Sequence, residues 1–117
     1  TPLGFLIFKR VSLELITASH VLISYQGALR SEQSRSKDEA MQLAQQLLAE
    51  IQDGRDFAEV AKEHSNGPSA PQGGMLGEFP RGMMVPEFDQ AAFALEPNTV
   101  SEVVETAFGF HIIKRIQ

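Results

Sequence analysis

Three histidines, His20, His64 and His111, are the side chains of this chain whose ordinary pKa lies near neutrality, so proton transfer at pH 7 would fall first to them. Cysteine is absent. That removes a thiolate nucleophile, a disulfide framework and sulfur-ligated zinc in one step. The histidines share no short ligand spacing such as H-x-x-x-H, and a carboxylate ligand would have to come from elsewhere, so no metal is expected. No serine is placed by a motif to act as a nucleophile beside either of the two strand histidines, which leaves covalent catalysis without a visible agent. His20 and His111 each sit inside an apolar, β-branched run, and taken singly each reads as a half-buried strand histidine satisfied by hydrogen bonds. His64 closes a helical segment, where an imidazole meets free carbonyls, and reads as structural. A second kind of chemistry needs no proton. Leu76, Met84 and Phe88 flank or interrupt a stretch with five glycines and three prolines between Gly67 and Gly82. Singly they would be core residues, but beside so irregular a loop they suggest the lining of a groove.

The elements that must position these residues follow from periodicity. Leu15 to Tyr25 is a central strand with His20 in its middle, and Gln26 to Ser36 is a polar connection. Ser36 and Glu39 form an S-x-x-E capping box ahead of Met41, Ala44, Leu48 and Ile51 at helical spacing, and Gly54 stops that helix. Asp56 caps a shorter helix with Phe57, Val60, Ala61 and His64 on one face. Met75 to Phe79 is a short extended piece within the glycine-rich loop. Pro86 opens a third helix, lined by Phe88, Ala91, Ala92 and Leu95, that ends before Pro97. Val100 to Glu105 and Phe108 to Ile116 read as two strands turning at Ala107. Runs of both element types in one small unit predict an α+β fold with a mostly antiparallel sheet.

With 117 residues and 43% hydrophobic content, a single domain spanning residues 1–117 is expected, with 1–14 as an N-terminal extension or extra strand and 15–117 as the core. A net charge of −5 gives no general attraction to nucleic acid or anionic lipid. The apolar run Leu3 to Phe8 is too short to span a bilayer and reads as a strand. Because the chain starts at Thr1, an excised domain or processed product is expected.

Five segments in order, S-H-V-L-I at 19–23, G-G-M-L-G-E-F at 73–79, R-G-M-M-V-P-E-F at 81–88, A-F-A-L at 92–95 and F-G-F-H-I-I-K at 108–114, make the chain resemble the parvulin, or rotamase, family of peptidyl-prolyl cis/trans isomerases. The resemblance covers roughly residues 17 to 117. It implies a four-stranded antiparallel sheet surrounded by helices, with a substrate groove floored by the sheet. It also implies that His20 and His111 lie side by side beneath that groove, that Leu76, Met84 and Phe88 cup the substrate proline, and that Thr106 and Phe108 flank the histidines. Gly67 holds the position at which the family usually carries an ionisable or polar residue such as Cys or Asp, and Met75 replaces a usual acid.

The implied activity is rotation about X-Pro bonds in unfolded or folding polypeptides, without a cofactor, by a monomeric domain that belongs to a larger chain. The histidines would form a hydrogen-bonded pair whose tautomers Thr106 sets. The alternative is a weakly active or inactive peptide-binding chaperone module of the same fold. A scaffold whose Leu3 to Phe8 strand pairs with another chain is a third reading. Arg30, Arg35 and Lys37 resemble the basic loop of phosphate-directed parvulins, but Glu32 and Asp38 interrupt them, so a solvated loop without a phosphate requirement is expected. Similar modules accompany bacterial extracytoplasmic foldases, which points to that compartment.

Overall fold

The computed structural model describes residues 15–28 and 33–117. Strand β1 (Leu15–Ile23) is followed by helices α1 (Lys37–Gln52) and α2 (Phe57–His64), a 3-10 turn (Ala70–Gln72), strand β2 (Met75–Pro80), helix α3 (Pro86–Ala94) and strands β3 (Thr99–Val100), β4 (Val104–Thr106) and β5 (Gly109–Arg115). All strand pairings are antiparallel, in the order β2-β1-β5-β3, with β4 also pairing β5. The expected α+β class is what the chain adopts. The expected strand Leu3 to Phe8 lies outside the described residues.

One predicted strand is two. Val100 to Glu105 breaks at Ser101, whose N–H donates to the Ile113 carbonyl (2.7 Å) while its Oγ accepts from the Ile113 N–H (3.0 Å). The side chain replaces a ladder bond, so the edge beside β5 is served by β3 at one end and β4 at the other, giving five strands among the described residues where the periodicity predicted four. At the other end β1 stops at Ile23 rather than Tyr25, because the Ser24 N–H turns to the side chain of Asn66.

The central pair β1 and β5 fixes the layers through its alternation. Val21 and Ile23 pair with Ile112 and Phe110 and pack under α1 and α2 against Ala40, Ala44, Leu47, Phe57, Val60 and Ala61. The opposite face carries Ile16, Ala18 and Ile113, covered by Phe79 of β2 and by Phe88, Ala92 and Phe93 of α3. Continuing along that same face, β1 and β5 present His20, Leu22 and His111.

Helix α1 forms as its sequence dictates: Ser36 Oγ accepts from Glu39 N–H (3.1 Å) and the Glu39 carboxylate accepts from Ser36 N–H (2.7 Å). Asp56 caps α2 through the Glu59 N–H (3.2 Å), and Arg55 between the helices pairs with both Glu50 and Glu63. Two glycines are required by backbone approach. Gly74, at φ 82°, hands its carbonyl to the His20 N–H (2.9 Å), and a Cβ there would lie 2.2 Å from the His20 carbonyl oxygen. Gly109, at φ 138°, would push a Cβ to 2.6 Å from the Ile23 carbonyl.

Candidate active site

His20 is opposite Ile113 and His111 is opposite Leu22, so the two imidazoles are diagonal neighbours on one face of an antiparallel pair, within reach of each other. They meet: Nδ1 to Nδ1 is 3.1 Å, with the rings within 19° of parallel and centroids 5.2 Å apart. The pair is therefore nearly coplanar, edge to edge. Thr106, brought alongside by the β4–β5 hairpin, places Oγ1 2.7 Å from His111 Nε2 and accepts from the Phe108 N–H (3.1 Å). The Phe88 ring stands perpendicular over both, with centroids 5.5 Å from His20 and 5.3 Å from His111.

Counting donors assigns the protons. Thr106 Oγ1 already accepts from Phe108 N–H, and the only partner for its own proton among the described residues is His111 Nε2. His111 then carries its proton on Nδ1 and donates to His20 Nδ1, which leaves His20 with Nε2–H. This chain holds only while both rings are neutral: an imidazolium at His20 would set its Nδ1–H against that of His111, and one at His111 would set its Nε2–H against the Thr106 hydroxyl proton. Burial pushes His20 down to about 4, and burial followed by the neighbouring His20 pushes His111 down to about 3, from an ordinary 6.5. Both are neutral at pH 7.

Above this floor lies a cavity of about 300 Å³ lined by His20, Leu22, Ser24, Asn66, Pro68, Leu76, Met84, Val85, Phe88, Phe108 and His111. Leu76, Met84 and Phe88, which the resemblance implies cup the substrate proline, and Phe108, which it implies flanks the histidines and completes the pocket wall, all line it together with the two histidines. Met84 and Val85 arrive on the loop before α3, which is tied down where the Gly82 N–H donates to Asp89 Oδ1 (3.2 Å). Thr106 does not line the cavity; it is buried behind His111. Gly67 is buried against His20, where a Cβ would lie 3.3 Å from Nε2, so it is adjacent to the site but contributes no side chain to it.

Sequence reasoning missed Leu22, Ser24, Asn66, Pro68 and Val85. Period-two alternation from His20 points to Leu22. The others carry no local signal. Arg35, expected to be a solvated loop cation, instead donates to the Ser24 carbonyl (3.0 Å) and to Asn66 Oδ1 (2.9 Å), while Lys37 pairs with Glu105 (2.8 Å). Arg30 and Glu32 lie outside the described residues. His64 sits beside Glu63 at 3.5 Å, apart from the pair. No cluster able to hold a metal ion occurs among the described residues, and no helix there is long and apolar enough to cross a membrane.

The PPIC-type PPIase domain model matches residues 5–117 of this sequence. The chain belongs to the parvulin family of peptidyl-prolyl cis/trans isomerases. It is 38% identical over 116 residues to peptidyl-prolyl cis-trans isomerase Pin1 of Digitalis lanata, covering 90% of this chain and 98% of that one. It is 43% identical over 106 residues to the foldase protein PrsA of Halalkalibacterium halodurans, covering 90% of this chain but 27% of the foldase. Against the solved peptidyl-prolyl isomerase ESS1 from Candida albicans the TM-score is 0.85 at 33% identity, covering 88% of this chain and 63% of that one. The parvulin resemblance of the five sequence segments is thus matched by relatives across almost the whole chain.

Proposed function

We propose that this domain accelerates rotation about X-Pro bonds in exposed or folding polypeptide segments by non-covalent stabilisation of the twisted amide in the groove. Rotation is slow because amide resonance must be broken, at a barrier of about 18–20 kcal/mol. Only interactions stronger in the twisted state than in either planar one raise the rate. A planar amide is a strong dipole that hydrogen-bonding water favours, whereas the twisted form has a localised carbonyl and a pyramidal nitrogen. A water-poor apolar surround therefore favours the twisted form. Leu76, Met84 and Phe88 hold the prolyl ring as a pivot, and the Met84 thioether adapts to either isomer. Phe108 forms the facing wall.

His20 and His111 act as a fixed neutral floor, with Thr106 as the group that sets their tautomers. The observation that carries this reading is the convergence of the neutral histidine pair and the four apolar residues on one cavity. Gly67 supplies no acid, thiol or base beside His20, which favours electrostatic and apolar stabilisation over nucleophilic attack. The same glycine is the feature behind the rival reading, a peptide-holding chaperone module without useful turnover. The chain spans less than a third of the foldase described above, so clients and partners of a larger protein are part of this proposal rather than of the domain's own chemistry.

Exchange spectroscopy on a proline tetrapeptide separates the two readings. Faster cis/trans exchange at catalytic protein concentration is expected. Peptide shift perturbation with unchanged exchange would leave only the holding role.

A further inference from the structure

Asn66 follows α2 and lies at the end of the cavity bordered by Ser24. Its Oδ1 accepts from the Ser24 N–H (3.0 Å), the Ser24 hydroxyl (3.2 Å) and Arg35 Nη1 (2.9 Å). Two of those three groups can only donate, which fixes the oxygen as the end of the amide that faces them. The NH2 end is left over, with no acceptor among the described residues, on a side chain that lines the cavity.

The polar side chains of the groove then offer mostly donors. The Nδ1 atoms of the histidines satisfy each other, and His111 Nε2 is taken by Thr106. The Ser24 N–H and hydroxyl are taken by Asn66, the Ser24 carbonyl by Arg35, and the Leu22 N–H by Ser65 Oγ (3.0 Å). Among the polar side chains that line the groove, what remains for a ligand is two donors, His20 Nε2–H and the Asn66 amide, against the lone pairs of one hydroxyl, Ser24 Oγ, on a side chain only 3% exposed. A prolyl segment is the main chain that suits this, because proline has a carbonyl and no N–H, so acceptors outnumber donors along it. The charge of Arg35 is directed at Oδ1 and the Ser24 carbonyl, which leaves a neutral amide to face a neutral acceptor.

We infer that Asn66 is a substrate-binding residue whose amide N–H groups hold a main-chain carbonyl flanking the prolyl ring, so that it grips X-Pro segments whatever the side chain of X. This rests on the reading of the groove as the isomerisation site. Ser24 and Arg35 are positioning residues for it.

Asn66→Asp tests this cleanly, since a carboxylate keeps an acceptor for Ser24 and Arg35 while abolishing the donors. Steady-state isomerisation of tetrapeptides with Ala, Leu, Glu or Lys before proline should show KM raised about three- to tenfold, the loss of one ordinary hydrogen bond. The rise should be similar for all four, with kcat changed less and an unaltered or raised melting temperature. Asn66→Ala, which also strands the Ser24 N–H, should raise KM and lower the melting temperature. Unchanged KM in folded Asn66→Asp would overturn the inference, and a KM rise confined to one residue before proline would overturn its main-chain basis. If the wild-type protein fails to accelerate exchange at all, the isomerase reading fails instead, and the two failures are thereby told apart.

Discussion

The two faces of the β1–β5 pair are built from alternate residues of the same two strands and end up in opposite conditions. Beneath α1 and α2 the sheet offers Val21, Ile23, Phe110 and Ile112, all at most 1% exposed and closed over by two helices. On the other face the nine-residue α3 covers Ile16, Ala18 and Ile113 and, at its first turn, sets Phe88 over the two histidines, which with Leu22 border an open cavity. A face closed throughout by apolar contacts supplies stability. The half-covered face spends burial on two polar rings that must satisfy one another, and its lining is held partly by loops. The site lies where the start of α3 and the loop before it meet the sheet, and the closed back of the sheet supports its floor.

The largest break in this comparison comes from the closed face. Phe110→Ala is expected to cost about 3–5 kcal/mol through lost burial and the cavity left behind, with activity falling only as folded protein is lost, as chemical denaturation followed beside turnover would show. Activity lost ahead of folding would mean that the two faces are not separable in this way.

Acid sharpens the contrast, because the titrating groups lie on the open face. Below the ordinary value of 6.5 the unfolded chain takes up protons on both histidines, while the folded chain resists until about 4 for His20 and about 3 for His111. Their depressed values mean that stability is complete above pH 6.5, drains away as the pH falls through that window and levels off below it. Melting temperature measured from pH 8 to pH 4 should hold down to about pH 6.5 and fall below it, and a variant with His20→Gln and His111→Gln should fall less. Parallel curves would show that the pair is not held neutral by burial.

Removing one partner of the chain is a smaller break. Thr106→Val keeps the shape but leaves His111 Nε2 without its donor, an expected loss of about 1–3 kcal/mol in stability together with reduced kcat. Imidazole nitrogen shifts should show the His111 tautomer becoming mixed; a single unchanged tautomer would remove Thr106 from its role.

Much of this contrast was legible in the chain. The capping box at Ser36 and Glu39, the apolar period of α1 and the alternation around His20 and His111 are local signals, and local signals survive in a sequence. The break between β3 and β4 was not legible, because Ser101 reads as one more strand residue until its hydroxyl meets Ile113. Asn66 and Arg35 escaped for the same reason. Their bonds to Ser24 join positions 42 and 11 residues away, and nothing in the spacing of Asn, Ser and Arg announces such a pairing.

The smallest structural change makes the most direct test of the apolar cradle. Met84 is half-buried on the cavity wall, so Met84→Ala should cost less than about 1 kcal/mol in stability, little beyond one partly exposed side chain. Exchange rates of a proline tetrapeptide should be measured at equal folded concentrations of wild type and variant. The account predicts a fall of about tenfold or more in catalysed exchange, the equivalent of about 1.4 kcal/mol of transition-state stabilisation, while the peptide still perturbs His20, Leu22 and Phe108. Equal rates in the two proteins would contradict it.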